Sequence, residues 1–379
     1  GSIVKTRQSA IPINSSFKLK NSFFIISIVS LISTVFLLIE TKSNFSFNLL
    51  DTYTNRSENA QALLRGDISN SSLAFKIAFL TYPAAYIYIA LACLYSKKIN
   101  VIKILFFGFL PVMLCALSMG GRVQIFYSFL VFYFSLKLRN RFFDVLKVNR
   151  LPKFRFTVRR IFWLTSVIVV LIITTIYFIN VFFVRAESVG GSEGMFKVAE
   201  QIWGIGFNGY LSNFLFNVFN IDYIFILFIF SWYISQGFVM SNIIFESYDG
   251  PLQFGVYGIE IITALARRVD GLKVYENFEI LMDLGTYGFL PSAFGSLFID
   301  FGFFALIITF FWGWWSMKVY KKTKAKNYKS MLLYPFMTIG IILSLINTPL
   351  GMTNGFVTFF WLFIAYYLIR VNKKIESKI

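Results

Sequence analysis

The chain has 379 residues, of which 57% are hydrophobic and only 14% are charged, and it carries a formal net charge of +18. A basic nucleic-acid-binding domain would be more charged and less apolar, so nucleic acid is excluded as a partner. The chain contains no histidine, which excludes His-based catalytic triads and His metal sites.

Long apolar stretches indicate an integral membrane protein, because about 20 apolar residues cross the ~30 Å hydrocarbon layer as a helix that satisfies its own backbone. The predicted spans, in chain order, are Ser22–Ile39, Leu73–Ser96, Val101–Met119, Val123–Leu136, Ile161–Val184, Ser296–Met317, Met331–Ile346 and Gly355–Leu368. Short cytoplasmic loops retain basic residues, and the basic patches share one side only if both termini are cytoplasmic. These patches are Lys97–Lys98, Lys137–Arg160, Lys318–Lys329 and Arg370–Lys378.

One further apolar region leaves the number of spans open. Trp203–Asn220 and Ile221–Met240 are apolar segments interrupted by Asn220 and Asp222. They form either two more spans, giving ten, or a helical hairpin in the membrane plane (203–240), giving eight. We favour ten. The expected fold is an all-α polytopic membrane protein, with residues 1–379 as one domain and a long outward-facing loop region at 185–296.

Arginines on the outward face are the candidate binding residues. Outward loops are poor in Lys and Arg, so those that occur there carry information. The planar guanidinium binds phosphate through two parallel hydrogen bonds and keeps its charge at any relevant pH. Such residues suit a lipid-linked phosphate or pyrophosphate. The candidates are Arg122, Arg185, Arg267 and Arg268.

Arg122 is the most informative of these, because no other charged residue occurs from Ile104 to Leu136. A charge at membrane depth costs at least about 2.5–3.5 kcal/mol unless it is solvated or paired. The two glycines in Ser118-Met119-Gly120-Gly121-Arg122 allow a tight turn and the close approach of a ligand. The alternative is that Arg122 extends from this turn to the lipid headgroups. For Arg185 the alternative is an interfacial anchor, and for Arg267 and Arg268 a solvated face.

Two acidic residues are candidates for a catalytic base. Asp300 lies at the start of a late span, where it acts as a base, pairs with an arginine or caps the helix; capping or pairing is favoured. Glu260 lies in an apolar stretch that would raise its pKa into the range of a general base. No Walker A loop occurs, and no close acidic pair resembles a divalent-metal site in the first outward loop. We therefore expect no metal or other cofactor.

Three stretches give the chain a resemblance to a known family. They are Leu117–Arg122, Trp232–Phe238, which is similar to a Tyr-x-x-Gln-Gly pattern, and Gly295–Gly302, followed by Phe311–Gly313. Together with the many spans and the long outward loop, they resemble the Wzy-type polysaccharide polymerases, also called O-antigen or oligosaccharide repeat-unit polymerases. Further substrate-binding candidates are then Tyr233, Gln236 and Tyr248.

The resemblance implies a GT-C-like, metal-independent glycosyltransferase of the bacterial inner membrane, with a periplasmic active site. Its substrates would be undecaprenyl-pyrophosphate-linked oligosaccharides, and the growing glycan would move from its lipid carrier onto a new lipid-linked repeat unit. Arginines would neutralise the leaving pyrophosphate, and a carboxylate would take the proton of the acceptor hydroxyl. The expected partners are these substrates, membrane lipids and a chain-length regulator protein.

Two other functions compete with polymerisation. An O-antigen ligase is expected to use a histidine, which the chain lacks. A flippase for lipid-linked oligosaccharides would show charged or broken helices at mid-membrane and two equivalent halves. Here the polar residues collect on one face, in one long loop, which favours catalysis over transport.

The distribution of basic patches makes the topology testable. We expect both termini in the cytoplasm and 185–296 outside, so a cysteine at Ser192 should react with an impermeant reagent added to intact cells, and one at Lys326 should not. Reaction at position 326 with protection at position 192 would reverse the assignment.

Overall fold

The structure is a computed structural model that describes residues 17–18, 20–44, 72–96, 98–119, 121–142, 189–207, 209–266, 274–286 and 288–371, with scattered positions between 172 and 187. The helices are α1 (Lys20–Asn44), α2 (Leu73–Thr81), α3 (Ala84–Tyr95), α4 (Val101–Ile104), α5 (Leu110–Met119), α6 (Val123–Phe142), α7 (Gly191–Trp203), α8 (Tyr210–Val218), α9 (Ile221–Ser247), α10 (Glu260–Ala266), α11 (Val274–Asp283), α12 (Ser292–Phe301), α13 (Ala305–Lys324), α14 (Tyr328–Ile342) and α15 (Gly355–Leu368). Two-residue strands β1 (Phe17–Lys18) and β2 (Arg370–Val371) pair antiparallel.

Irregular turns connect several of these helices. A π-helical turn at Leu105–Phe109 joins α4 to α5, and 3-10 turns at Gly302–Phe304 and Leu343–Leu345 follow α12 and α14. Gly302 has φ +54° and ψ −135°, which a side chain would strongly disfavour, so the chain changes direction there. Side-chain caps begin other helices: Asn100 Oδ1 accepts from Lys103 N at 3.1 Å, and Asn327 Oδ1 from Ser330 N at 3.1 Å.

Six helical stretches in the described part of the chain are long and apolar enough to cross a membrane. They are Asn21–Glu40, Leu73–Tyr95, Val101–Ser118, Ile221–Ser247, Ser292–Lys324 and Tyr328–Leu345. The shorter helix Gly355–Leu368 is also apolar. The expectation of a helical, polytopic membrane protein is therefore confirmed, while most of the predicted span Ile161–Val184 lies outside the described residues.

The centre of the bundle is α3, in which every residue from Ala84 to Tyr95 is buried. A helix that is apolar on all sides is stable only when neighbours cover all of it. These neighbours are α1, α6, α14, α15 and the π-helical turn at Leu105–Phe109. The first four predicted spans and the seventh and eighth therefore share one core.

The span that contains α3 is broken at Pro83. Proline has no N–H, so the carbonyl of Phe79, four residues earlier, loses its helical donor. Asn354 Nδ2 supplies the missing hydrogen bond at 2.7 Å, and Trp361 Nε1 donates to the neighbouring carbonyl of Leu80 at 2.8 Å. A break at membrane depth is tolerated where protein groups satisfy the freed backbone, and here the chain segment from 354 to 361 does so.

Pro111 produces the same problem in the next span, and α1 solves it. The carbonyl of Phe107 lies four residues before Pro111, inside the π-helical turn. The hydroxyl of Ser30 on α1 donates to this carbonyl. The contact explains how a serine on an apolar helix comes to be fully buried.

One predicted pair of spans is not found as such. Trp203–Asn220 contains only the last residue of α7, a non-helical stretch and the nine-residue α8. Nine helical residues rise about 14 Å, less than half of the hydrocarbon thickness. The interpretation of this segment as a span is therefore wrong, because Gly204 ends α7 and residues 204–207 are not helical. Ile221–Met240 forms one helix, α9, which continues to Ser247.

At the basic end of the bundle, Arg139 is only 2% exposed. Its Nη1 donates at 2.7 Å to the carbonyl of Cys93, in the last turn of α3. Carbonyls in the last helical turn have no intrahelical donor, so Arg139 caps α3 from α6.

Removal of this cap should destabilise the bundle. We expect Arg139→Met, which keeps much of the side-chain stem, to cost about 1.5–3 kcal/mol, the range for a hydrogen bond to a charged group. Thermal unfolding of the purified protein in detergent measures it. Lys321→Met, at an exposed cation near the same end of the bundle, is the control and should unfold like the wild type. Equal behaviour of the two variants would contradict the capping role.

Candidate functional site

Arg122 lies at the N-terminal end of α6 and is held inside the protein. Its carbonyl accepts the first helical hydrogen bond, from Phe126 N at 3.1 Å. The side chain is 9% exposed, its Cζ lies 3.8 Å from the ring centroid of Phe182, and its Nη2 donates to Tyr233 Oη at 3.3 Å. A guanidinium stacked on one ring and bonded to another is fixed in orientation. These contacts do not fit a side chain that extends to the lipid headgroups.

Helix α9 brings Tyr233 to Arg122 by crossing the preceding helical segment. The adjacent residues Phe182 and Phe183 contact Tyr233 and Phe225, with ring centroids 5.4 Å and 5.6 Å apart. Tyr233 and Phe225 are eight residues apart, or about 12 Å along the helix. If α9 ran parallel to 179–184, the adjacent residues Phe182 and Phe183 would contact residues of α9 that are also close together. The contacts indicate that α9 runs across the end of this segment.

The Gln236-Gly237 pair lies where α9 touches the ends of two other helices. A Cβ on Gly237 would lie 1.9 Å from the carbonyl oxygen of Leu345 and 3.3 Å from Ser292 Cβ, so only glycine fits. Gln236 is 4% exposed. One turn further, Ser241 Oγ donates to the carbonyl of Pro291 at 2.5 Å. The Tyr-x-x-Gln-Gly stretch is thus a packing surface for α12 as well as the source of Tyr233.

Asp300 on α12 organises the loop before α10. It is 1% exposed; its Oδ1 accepts from Tyr257 N at 3.0 Å and its Oδ2 from Gly258 N at 2.8 Å. The backbone carbonyl of Asp300 also accepts from Phe254 N at 2.9 Å. Both carboxylate oxygens therefore hold backbone amides. The geometry corresponds to the capping alternative more closely than to a free base.

Tyr248 closes the same loop from its other end. Its hydroxyl donates to the carbonyl of Pro251 at 3.0 Å and accepts from Gln253 Nε2 at 3.2 Å. Burial is the largest effect on the Tyr248 phenol and raises its pKa; the Gln253 hydrogen bond opposes this, and the carboxylates of Asp300 and Asp249 add smaller raising contributions. Tyr248 is therefore a neutral hydrogen-bond donor at physiological pH.

Glu260 is the first residue of α10, and its side chain is exposed. The hypothesis of a raised pKa required Glu260 to lie in apolar surroundings. The structure does not show this burial. Its carboxylate lies within electrostatic range of Tyr82 and Cys115, near the break at Pro83. Glu260 is thus an accessible carboxylate close to the polar groups around that break.

Sequence reasoning missed a cluster of buried polar groups beside Arg122, which we call the polar cap and define as Tyr82, Tyr86, Gln124, Thr353 and Asn354. Tyr82 Oη donates to the carbonyl of Thr353 at 3.0 Å and Tyr86 Oη to that of Gln124 at 3.5 Å. Two buried acceptors have no partner among the described residues: Gln124 Oε1 and Asn354 Oδ1. Buried acceptors without donors carry a desolvation cost that a hydroxyl-rich ligand would remove.

A signal for part of this cluster was present in the sequence. The segment 347–354 was expected to face outward as a small polar loop, but no residue in it was selected. Thr353 and Asn354 have φ of +50° and +56°, so the backbone is held in an unusual turn that directs their side chains. The role of Asn354 could not be predicted from the sequence, because it depends on a hydrogen bond to the distant carbonyl of Phe79.

Three of the predicted site residues cannot be located relative to the others. Arg185, Arg267 and Arg268 lie outside the described residues. Of the remaining candidates, the structure brings Arg122 to Tyr233 and links Gln236, Tyr248 and Asp300 through α9, α12 and the 248–258 loop. In the described part of the chain, Cys, Asp and Glu residues form no group of three that could hold a metal ion.

The assembled groups suit the binding of an anion next to hydroxyl groups. A fixed guanidinium provides the charge, and the polar cap provides acceptors and donors for hydroxyls. Comparisons of the chain with known protein families, with curated proteins and with solved structures find no match. The function is therefore inferred from the chemistry of the site.

The contacts of Asp300 predict a structural effect of substitution. In Asp300→Asn one acceptor becomes an NH₂ donor facing a backbone N–H, so we expect a loss of about 1–3 kcal/mol in stability. The measurement is thermal unfolding of the purified protein. Asp283→Asn, at an exposed residue, is the matched control. An Asp300→Asn protein that unfolds like the wild type but is inactive would instead make Asp300 a catalytic residue.

Proposed function

We propose that the chain is an oligosaccharide repeat-unit polymerase of the Wzy type, located in the bacterial inner membrane. It would transfer a glycan from undecaprenyl pyrophosphate onto a lipid-linked repeat unit at the periplasmic face. Both termini would be cytoplasmic, and the helical body would be GT-C-like. The partners would be the lipid-linked oligosaccharides, membrane lipids and a chain-length regulator protein.

One observation carries the proposal: the first two stretches behind the family resemblance meet in space, and the second packs against the first residue of α12, the helix that contains the third. The first supplies Arg122, the second supplies Tyr233, which accepts its hydrogen bond, and Gly237, which packs next to Ser292 on α12. The third stretch, on α12, supplies Asp300, which holds the 254–258 loop. These segments are distant in sequence and lie on different helices. Their proximity is explained if together they build one site.

The transfer step requires stabilisation of a leaving pyrophosphate. The bond between the anomeric carbon and the pyrophosphate oxygen breaks, and a bond to the acceptor hydroxyl oxygen forms. The guanidinium of Arg122, held by Phe182 and Tyr233, would supply positive charge to the departing pyrophosphate. A carboxylate would take the hydroxyl proton; the candidates are Glu260, whose side chain is exposed, and Asp300, whose oxygens both accept backbone amides.

The polar cap supports a substrate with many hydroxyl groups. Gln124 Oε1 and Asn354 Oδ1 are buried acceptors without donors among the described residues, and sugar hydroxyls are donors. Recognition of a sugar depends on a few such directed polar atoms.

Eight crossings are the topology that fits this proposal best. If α9 spanned the membrane while α8 did not, the basic patches after Lys318 would lie on the opposite side from those before Arg160. With α9 lying across the outward end of the bundle, all patches share one side. The crossing contacts of Phe182 and Phe183 support this placement.

A flippase for lipid-linked oligosaccharides is the second candidate, and one observation favours it. The breaks at Pro83 and Gly302 interrupt two of the apolar spans, and broken helices line the substrate sites of many transporters. Reconstituted liposomes distinguish the two functions, because a polymerase lengthens the glycan whereas a flippase only changes the leaflet in which it resides.

Substitution of Arg122 tests the proposed site. We expect Arg122→Ala to slow polymerisation by about 30- to 1000-fold, equivalent to roughly 2–4 kcal/mol of lost anion stabilisation. Arg122→Lys should restore little, because it keeps the charge but loses the planar fork. The measurement is glycan length made from lipid-linked repeat units by purified protein, with EDTA present throughout because we expect no metal requirement.

Two controls make the result interpretable. Lys197→Ala removes an exposed cation from α7 and should leave glycan length unchanged. Tyr233→Phe keeps the ring and removes only the acceptor of the Arg122 hydrogen bond, so it should have a smaller effect than Arg122→Ala. Long polymer from folded Arg122→Ala protein would rule out this site, and activity abolished by EDTA and restored by Mg²⁺ would rule out its chemistry.

A further inference from the structure

A cavity lies at the opposite end of the bundle from Arg122. It has a volume of about 260 Å³ and is formed between α6, α13 and α14. Lys137 and Arg141, on α6, are among the residues that line it. Arg141 is nineteen residues after Arg122 on the same helix, or about 29 Å away. The cavity is therefore separate from the candidate site described above.

The cavity collects positive charge from two helices. Lys137 and Arg141 are four residues apart, so they share one face of α6, and Lys324 faces them from α13. Tyr320 and Tyr334 also line it, with their rings 6.3 Å apart, and add phenol donors. The described lining residues include no Asp or Glu. An anion is the ligand that this set of groups would recognise.

Thr323 provides independent evidence that something polar belongs in the cavity. It is 2% exposed and lines the cavity, yet its Oγ1 has no hydrogen-bond partner among the described residues. A threonine in a helix usually donates to the carbonyl four residues earlier, as Thr309 does to Ala305 at 2.6 Å on the same helix. The Thr323 hydroxyl lacks this bond and remains available to a ligand oxygen.

The surroundings of the cavity identify the source of the anion. One turn toward the middle of the membrane from Tyr320 and Lys137 lie Met317 and Tyr133, which are 52% and 54% exposed. Exposed side chains of this kind suit contact with the hydrocarbon layer. A cavity of about 260 Å³ is smaller than the roughly 300–1,000 Å³ typical of small-molecule pockets. It suits a phosphate headgroup whose acyl chains continue along the exposed apolar surface.

We propose that this cavity binds the phosphate headgroup of an anionic phospholipid from the membrane leaflet at the basic end of the bundle. Lys137, Arg141 and Lys324 surround the phosphate, and Thr323 and the two tyrosines donate hydrogen bonds to its oxygens. The bound lipid joins α6 to α13 and α14. If these basic residues served only to keep their loops on the cytoplasmic side, they would not need to converge on a cavity. Nor would the cavity need a buried hydroxyl that lacks a hydrogen-bond partner.

Lipid binding by the purified full chain tests the proposal. Native mass spectrometry in detergent would measure the affinity for phosphatidylglycerol, for phosphatidylcholine and for inorganic phosphate. We expect the wild type to prefer phosphatidylglycerol. The double variant Lys137→Gln/Lys324→Gln should bind phosphatidylglycerol roughly 30-fold more weakly, from the usual contribution of two basic residues near an anionic lipid. Thr323→Val should weaken it roughly two- to tenfold, the loss expected for one hydrogen bond.

The control is Lys321→Gln/Lys322→Gln, which removes the same charge from exposed positions of α13 outside the cavity lining. It should change the affinity less than about twofold, since these side chains do not meet at the cavity. An equal loss in the control would show general electrostatic attraction and overturn the proposal. Equal affinity for phosphatidylcholine would do the same. Full displacement of the lipid by millimolar inorganic phosphate would assign the cavity to a soluble anion instead.

Discussion

The fold depends on one requirement, that every backbone carbonyl inside an apolar environment has a donor. Pro83 removes the donor of Phe79 from the most buried span, and the side chains of Asn354 and Trp361 replace it and satisfy the neighbouring Leu80. These bonds join the second predicted span to the last one across more than 270 residues of sequence. Without such partners, each buried carbonyl would lower the free energy of unfolding by its desolvation penalty. Proteins are only marginally stable, so they tolerate few such losses.

The same bond shapes the candidate site. Since Asn354 uses its Nδ2 for the carbonyl of Phe79, its Oδ1 is left as a buried acceptor without a partner beside Thr353 and Gln124. The side chain that repairs the helix break thus adds a buried polar atom to a core that is otherwise mostly apolar. Arg122 begins the helix that carries Gln124, so the charged and neutral polar groups are set by the same first turn of α6.

The sequence predicts the spans of this protein better than its site. Apolar length and basic loops are local signals, and they located α1, α4–α5 and α14 almost to the residue. Trp203–Asn220 was misassigned because composition does not reveal that Gly204 ends a helix. Glu260 was expected to have a raised pKa because its neighbours are apolar, but as the first residue of α10 its side chain is exposed. The sequence identified Arg122 as a site candidate because it is an isolated charge. It did not identify Phe182, because hydrophobic periodicity does not predict contacts between different helices.

The two buried arginines show why residue type alone does not identify a site. Arg139 is as deeply enclosed as Arg122, but it donates to a helix-terminal carbonyl of α3 and completes the backbone bonding there. Arg122 instead contacts two aromatic rings and a phenol oxygen. These contacts orient the guanidinium without completing the backbone bonding of a helix. An arginine that caps a carbonyl stabilises the fold, and one that is oriented by rings is a candidate for ligand binding.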